Sequence, residues 1–139
     1  MGDVVLNETD IIDRVEYDDA AVTLTWGIDV HFPDSLNSVH YPGREFISWY
    51  THSHHPPYHM PYRCLYSRNV ENLFMAGRNI SATHYGMGST RVMRTSGMMR
   101  EVTGMAASVF VENECLPADV YTGHLESLKA LMREGIGRQ

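Results

Sequence analysis

The clearest hydrophobic pattern in the chain is an alternation with a period of two between positions 21 and 32. The apolar parity consists of Val22, Leu24, Trp26, Ile28, Val30 and Phe32. Asp29 and His31 occupy the other parity, together with small and polar residues. A period of two is typical of a strand with one buried and one polar face. We therefore predict one strand over positions 21–32 and expect Asp29 and His31 to project from the same face.

Three further segments have the pattern of strands. Glu45 to Tyr50 alternates, and Tyr62 to Tyr66 leads into a turn at residues 67–69. Leu73 to Ala76 is a short apolar run that Gly77 stops, which is typical of a fully buried strand.

From Arg91 onward the hydrophobic period becomes helical. The predicted buried positions are Val92, Thr95, Met99, Val102, Ala106 and Val109. Gly86 and Gly88 precede this helix in a Gly-rich loop, and Ser89 and Thr90 are placed to cap it. A helix N-terminus that follows such a loop presents backbone N–H groups and positive potential to an anionic or electron-rich group.

Two shorter helices are predicted at the ends of the chain. Asn7 to Val15 is a weak helical segment that Thr9 could cap, with its isoleucines and Val15 packing inward. The last helix is expected from about Thr122 to Glu134, with Gly135 as its C-terminal cap. Its apolar stripe consists of Leu125, Leu128, Leu131 and Met132.

These elements predict an α+β fold with antiparallel strands, one buried strand leading into a long helix, and a C-terminal helix. The 139 residues are expected to form one domain or a fragment of one. Within it we distinguish the strands and His-rich loop of residues 18–66, the strand, Gly-rich loop and helix of residues 67–112, and the C-terminal helix of residues 117–135.

Composition narrows the classes of partner. The formal net charge is −6 and no basic run occurs, which argues against nucleic acid or an anionic membrane surface as the main partner. No apolar segment approaches the length of a membrane span. The two cysteines, Cys64 and Cys115, cannot form a disulfide framework or a Cys-rich zinc site by themselves, so we expect two unpaired thiols.

Histidines cluster in the Pro-rich segment THSHHPPYH. The cluster consists of His52, His54, His55 and His59. Neutral imidazole is a good zinc or copper ligand. However, no cysteine or carboxylate lies nearby in sequence, and two adjacent prolines restrict how the side chains could converge. We favour an exposed loop that shapes a substrate opening, with no metal site.

The long helix carries two glycines seven residues apart, Gly97 and Gly104, followed by Ser108 on the same face. Glycine inside a helix costs about 1 kcal/mol relative to alanine. The pair is therefore expected to have a packing reason, namely close approach to another backbone or to a flat ring. The methionines of this helix are more simply core residues than a cofactor site.

Three motifs carry a family resemblance: PYRCL from Pro61, NLFMAGRNISATH from Asn72, and GSTRVM from Gly88. With them, residues 18–131 resemble the C-terminal part of the FAD-dependent oxidoreductases with a glutathione-reductase-like flavin fold. The branch in question includes members with a xanthan-lyase label. The resemblance implies that this chain is part of an α/β FAD-binding fold, with the helix after the Gly-rich loop capping the flavin.

The resemblance also implies roles for individual residues. The implied cofactor-binding residues are Gly77, Arg78, Ser81, Thr83, Gly86, Gly88, Ser89, Thr90 and Arg91. His84 is the best candidate for acid–base catalysis, since its unperturbed pKa lies near neutrality; a hydrogen-bonded loop histidine is an equal alternative. Asp29 and His31 are weaker candidates for substrate binding, against the simpler interpretation of a solvated or domain-facing polar surface.

The dinucleotide-binding fingerprint of such enzymes, GxGxxG between a strand and a helix, does not occur in the sequence. We therefore expect this chain to be a C-terminal fragment or truncated relative that needs an N-terminal FAD-binding domain and is inactive alone. The expected substrate is a small organic molecule, with a carbohydrate as one candidate. The alternative is a non-enzymatic α+β binding or assembly module, which could form homo-oligomers through surface left exposed by the missing domain.

Overall fold

The computed structural model describes residues 1–33, 37–40, 42–43, 46–50 and 56–135. Their helices are α1 (Glu8–Ile12), α2 (Asn37–His40), α3 (His84–Thr90), α4 (Met93–Glu112) and α5 (Pro117–Glu134). The strands are β1 (Ala20–Leu24), β2 (Asp29–Pro33), β3 (Phe46–Tyr50) and β4 (Tyr58–Pro61). This mixture of separate helices and antiparallel strands confirms the α+β class.

The strands form two small antiparallel sheets instead of one. β1 pairs with β4, and β2 pairs with β3. The single strand predicted over positions 21–32 was wrong, because residues 25–28 belong to neither sheet and connect β1 in one sheet to β2 in the other. The apolar parity nevertheless holds on both sides of this break, with Val22, Leu24, Ile28 and Val30 buried. Trp26, inside the break, is 43% exposed.

The long helix begins later than its hydrophobic period indicated. The expected Gly-rich loop is itself the short helix α3, which ends at Thr90, and α4 begins at Met93. Ser89 and Thr90 are consequently buried inside α3 and cap nothing. The predicted stripe of α4 is buried from Thr95 to Val109, as expected. Val92, the first predicted member, is the N-terminal flanking residue and is only half-buried.

The buried strand predicted over Leu73–Ala76 does not form. Only an isolated bridge joins Phe74 to Tyr66, and Leu73 is 44% exposed. A short apolar run becomes a buried strand only where other chain segments cover both of its faces. Here the segment lies on one side against α4, where the Thr103 hydroxyl donates to the Met75 carbonyl at 3.4 Å.

Three further predictions, on the segment after β4, on the cap of α1 and on the start of α5, also need correction. The strand predicted from Tyr62 is a 3₁₀ turn of Tyr62–Cys64 after β4. α1 is capped by Asn7, whose side chain accepts hydrogen bonds from Thr9 and Asp10, and Ile12 and Val15 are exposed. α5 begins at Pro117, because proline fits the first helical position, where no N–H partner is needed. Gly135 ends α5 with φ of 70°, as predicted.

The N-terminal segment, residues 1–6, packs against the turn after β4 and against the loop before α3. Leu6 N–H donates to the Ser81 carbonyl, and Thr83 N–H donates to the Leu6 carbonyl. Gly2 lies so close to the chain that an added Cβ would be 2.3 Å from the Arg63 carbonyl oxygen. This segment therefore fixes the position of the loop that leads into α3.

A buried ion pair joins β1, the turn after β4, and α5. Asp19 is 1% exposed and accepts hydrogen bonds from Arg63 N, Nε and NH2 at 2.9–3.0 Å. The Arg63 guanidinium also lies 4.5 Å from the ring centre of Tyr121 on α5. Hydrogen bonds to the Asp19 carboxylate raise the pKa of Arg63 above its ordinary value, so the guanidinium stays charged.

Candidate functional site

Helix α3 is held unusually close to its neighbours by two glycines. A Cβ on Gly86 would lie 2.4 Å from the Leu6 carbonyl oxygen, and one on Gly88 would lie 2.7 Å from the Asp29 carbonyl oxygen. Both distances are shorter than any van der Waals contact, so only glycine permits this packing. The Gly-rich spelling thus brings α3 onto β2.

The junction of α3 and β2 borders an open cavity of about 190 Å³. Its lining brings together six of the site residues predicted from the sequence, although they come from three separate parts of the chain. The lining residues are Asp29, Val30, His31, Arg78, His84, Met87, Gly88 and Arg91. Sequence reasoning did not find Val30 and Met87, because nothing in their local pattern distinguishes them from core residues.

Asp29 is the centre of a charged cluster at this cavity. Its Oδ1 lies 3.2 Å from His31 Nε2, and its Oδ2 lies 3.2 Å from the Arg91 guanidinium. Arg91 also donates to the Asp29 carbonyl oxygen at 3.1 Å. The predicted common face of Asp29 and His31 is therefore confirmed, and Arg91, expected to face the cofactor, binds Asp29 instead of projecting freely.

Nδ1 of His31 is buried and has no hydrogen-bond partner among the described residues. When Nε2 carries the proton that it donates to Asp29, Nδ1 is the lone-pair nitrogen. The Phe46 ring lies beside this imidazole, with ring centres 5.2 Å apart. The carboxylate thus fixes the orientation of the imidazole from one side and the aromatic ring from the other.

Arg78, within the 3₁₀ turn Gly77–Asn79, and His84, the first residue of α3, also line the cavity. Both side chains are exposed. Gly77 starts the turn with φ of 70°, a conformation that favours glycine. Among the residues that the structure describes, Arg78 makes no ion pair, so its charge is available to a ligand.

The remaining predicted cofactor-binding residues do not line the cavity. Thr83 caps α3 by accepting from Gly86 N–H at 3.1 Å. Ser81, Ser89 and Thr90 are fully buried, and the Thr90 hydroxyl donates to the Gly86 carbonyl at 3.2 Å. The Ser81 hydroxyl has no hydrogen-bond partner within the described ranges. Their positions make them parts of the scaffold beneath the cavity.

The metal hypothesis concerns residues that lie largely outside the described ranges, since His52, His54 and His55 are among those not described. His59 is exposed on β4, with Nδ1 3.3 Å from the Thr23 hydroxyl. The described part of the chain contains no group of three histidine, cysteine or acidic side chains arranged to hold a metal ion. None of its helices is long and apolar enough to cross a bilayer.

Comparison with known families decides the assignment of the chain. The family model described as FAD dependent oxidoreductase matches residues 1–132, nearly the whole sequence. The chain belongs to the FAD dependent oxidoreductase family. No curated protein and no solved structure gives a significant match. In this FAD dependent oxidoreductase family member, the family match includes the N-terminal segment, which lies outside the three motifs that carried the resemblance.

Membership in this family implies FAD as the cofactor, and the residues present fit only part of it. Ligand pockets usually have volumes of roughly 300–1,000 Å³, whereas this cavity measures about 190 Å³. Arg78, Arg91 and His84 suit an anionic or electron-rich group, such as the polar edge of a flavin. The adenosine half would need a dinucleotide-binding unit, and the sequence contains no GxGxxG for it.

Proposed function

We propose that this chain supplies the flavin- and substrate-facing part of an FAD-dependent oxidoreductase that moves a hydride or electron pair between flavin and a small organic substrate. The observation that carries the proposal is the convergence of Asp29, His31, Arg78, His84 and Arg91 on one cavity in a chain of this family. Bound flavin would supply the redox chemistry. The chain's own residues would bind, orient and exchange protons with the substrate.

In this proposal the α3 side and the β2 side of the cavity have different roles. On the α3 side, His84 faces the electron-rich edge of the flavin and exchanges a proton with the substrate, because it is exposed and lines the cavity. Arg91 holds Asp29 in place at 3.2 Å. On the β2 side, Asp29 holds His31 with the proton at Nε2, so that His31 orients the substrate.

A second unit that carries the dinucleotide-binding motif completes the site in this proposal. Gly97 and Gly104 on α4 support it, since nothing described lies within 4 Å of a Cβ built on either glycine. Their face of α4 also carries Met93, which is 92% exposed. The half-exposed segment Leu73–Ala76 lies against the same helix. These neighbouring open surfaces suit coverage by another domain, and the chain is inactive without it.

The first test is an FAD titration of the purified chain, followed by desalting and a visible absorbance spectrum. We expect weak quenching of flavin fluorescence during the titration and no flavin bands after desalting. His84→Ala should weaken the quenching, and His59→Ala is the matched control, because His59 is an exposed histidine outside the cavity. Equal quenching for His84→Ala and the parent chain would contradict flavin contact at this cavity.

Stoichiometric flavin bands after desalting would contradict the need for a second unit. An elution volume smaller than that of a monomer, with no flavin perturbation at any concentration, would favour the non-enzymatic assembly module instead. Size-exclusion chromatography of the same samples distinguishes these results.

A further inference from the structure

The charges around the cavity do not cancel. Asp29 is the acidic residue of the lining; the charge of its carboxylate is compensated by Arg91 at 3.2 Å, and the carboxylate also lies 3.2 Å from His31 Nε2. Arg78 has no such partner among the described residues. One uncompensated guanidinium therefore remains, and it suits a ligand that carries one anionic group. A carboxylate fits one guanidinium in a bidentate arrangement.

An aromatic surface continues from this cavity across the β2–β3 sheet. Residues that pair directly across antiparallel strands project from the same face. Asp29 pairs with Tyr50, and His31 pairs with Ser48. The face that carries Asp29 and His31 therefore also carries the side chains of β3 at Tyr50 and Ser48.

Two exposed aromatic rings border this face. Phe46 is 57% exposed although its ring lies beside His31, and Trp26 is 43% exposed with its ring centre 5.9 Å from that of Tyr50. Large aromatic side chains left in water next to polar groups are typical of a surface that receives a ring or an apolar body. The exposed ring of Phe46 lies nearest the charged cavity.

We propose that the cavity and this aromatic face form one substrate site for a carboxylate carried on a six-membered ring. Arg78 binds the carboxylate, and the ring packs on Phe46, with His31 and Asp29 between them. The inference rests on the proposed function for its place in catalysis, but it assigns Arg78 to the substrate and not to a phosphate of the cofactor. The ring is either aromatic or a sugar ring, and both present a flat face to Phe46.

The test is an NMR chemical-shift titration of the chain alone, without flavin, so that it is independent of the flavin titration above. The probes are benzoate, glucuronate, acetate and inorganic pyrophosphate. We expect one of the two ring carboxylates to bind about tenfold more tightly than acetate, with shifts at Arg78 and Phe46. Preference for benzoate or for glucuronate identifies the ring as aromatic or saccharide.

Two pairs of variants locate the site. Arg78→Gln should weaken ring-carboxylate binding about tenfold, and Arg68→Gln should not, because Arg68 is an exposed arginine outside the cavity. Phe46→Ala should remove the preference over acetate, whereas Val111→Ala should retain it, because Val111 is an exposed apolar residue of α4 that does not line the cavity. Thermal unfolding of each variant confirms that it is folded.

Three results would overturn the inference. If acetate binds as tightly as both ring carboxylates, the aromatic face does not contribute to binding and is not part of the site. If pyrophosphate binds more tightly than the ring carboxylates, and if Arg78→Gln abolishes this binding, Arg78 is a ligand of a cofactor phosphate and not of the substrate. Absence of Arg78-dependent shifts with all four probes would exclude an anion site there, whatever the flavin titration gives.

Discussion

The carboxylate of Asp29 lies 3.2 Å from Nε2 of His31, two positions further along β2. The same carboxylate lies 3.2 Å from the guanidinium of Arg91, the residue at the C-terminal end of α3. Strand and helix are therefore joined by a charge cluster at the point where Gly88 allows them to touch. Each of the three side chains is only about one-quarter to one-third exposed, so the cluster is partly shielded from water.

Replacement of Asp29 by asparagine should increase the affinity of the cavity for a carboxylate. The change removes the negative charge that compensates Arg91, so the cavity gains positive potential. We expect tighter binding by a few-fold, on the order of 1 kcal/mol, in the ring-carboxylate titration. Glu126→Gln is the control, because Glu126 is an exposed acid on α5. Weaker binding by Asp29→Asn would mean that Asp29 itself contacts the ligand.

Gly88→Ala should destabilise the chain by about 2 kcal/mol, because the new methyl group would lie 2.7 Å from the Asp29 carbonyl oxygen and 3.0 Å from Val30 Cγ1. Urea unfolding measures the change. Gly104→Ala is the matched control: it has open space around it and should stabilise α4 by about 0.5–1 kcal/mol. Equal effects of the two substitutions would refute the close packing of α3 on β2.

Asp19→Asn should cost about 3 kcal/mol of the free energy of unfolding. Asp19 is buried, and its loss of charge would leave the Arg63 guanidinium without its main acceptor. The exposed pair of Glu126 and Lys129, 2.9 Å apart, provides the comparison. Glu126→Gln should leave the stability almost unchanged in the same urea experiment, because an exposed ion pair is screened by solvent. A loss for Asp19→Asn as small as that would show that the buried pair contributes little.

Stability should fall as pH rises above 9, partly because of Cys64. Burial raises the pKa of this thiol from 9.0 to about 12, so the folded chain keeps a proton that the unfolded chain releases. Since the unfolded state then binds fewer protons, the free energy of unfolding decreases with pH between 9 and 12. Burial also raises the pKa of Tyr17 to about 12, which adds to the decrease above pH 10.

Urea unfolding at pH 8 and pH 10 isolates the thiol. The parent chain should lose about 1 kcal/mol more than Cys64→Ala over this interval, because only the parent has the buried thiol. Cys115→Ala is the comparison: burial also raises the pKa of Cys115, but this thiol is only partly buried, so its removal should change the pH dependence less than Cys64→Ala does. Identical pH dependence of the parent and Cys64→Ala would show that the folded chain ionises this thiol as readily as the unfolded one.

Local pattern predicted several elements well, for reasons visible in single residues. Val22 and Leu24 are buried as their parity indicated, and the stripe of α4 from Thr95 to Val109 faces the core. The same patterns could not predict where elements break. The apolar parity continues through residues 25–28, yet the chain changes sheets there, because pairing with different partners, β4 and β3, determined where each strand ends.

The candidate site was predicted as a set of residue types, and its geometry was not. Asp29 and His31 were expected on one face because they are two residues apart in a strand. That Arg91 would bind Asp29, 62 positions earlier in the chain, had no local signal. Phe46 became part of the site only through the pairing of β2 with β3, which brings its ring to His31.

The sequence by itself determined the α+β class, the family, the faces of β2 and α4, and the residue types that could carry acid–base and anion-binding chemistry. These depend on periodicity and on motif spelling, which are local properties. Only the tertiary structure decided that Gly86 and Gly88 serve packing of α3 against Leu6 and Asp29, and that the charges of Asp29 and Arg91 compensate each other while Arg78 stays available. The physical reason is that close approach and charge compensation depend on distances between segments far apart in the chain.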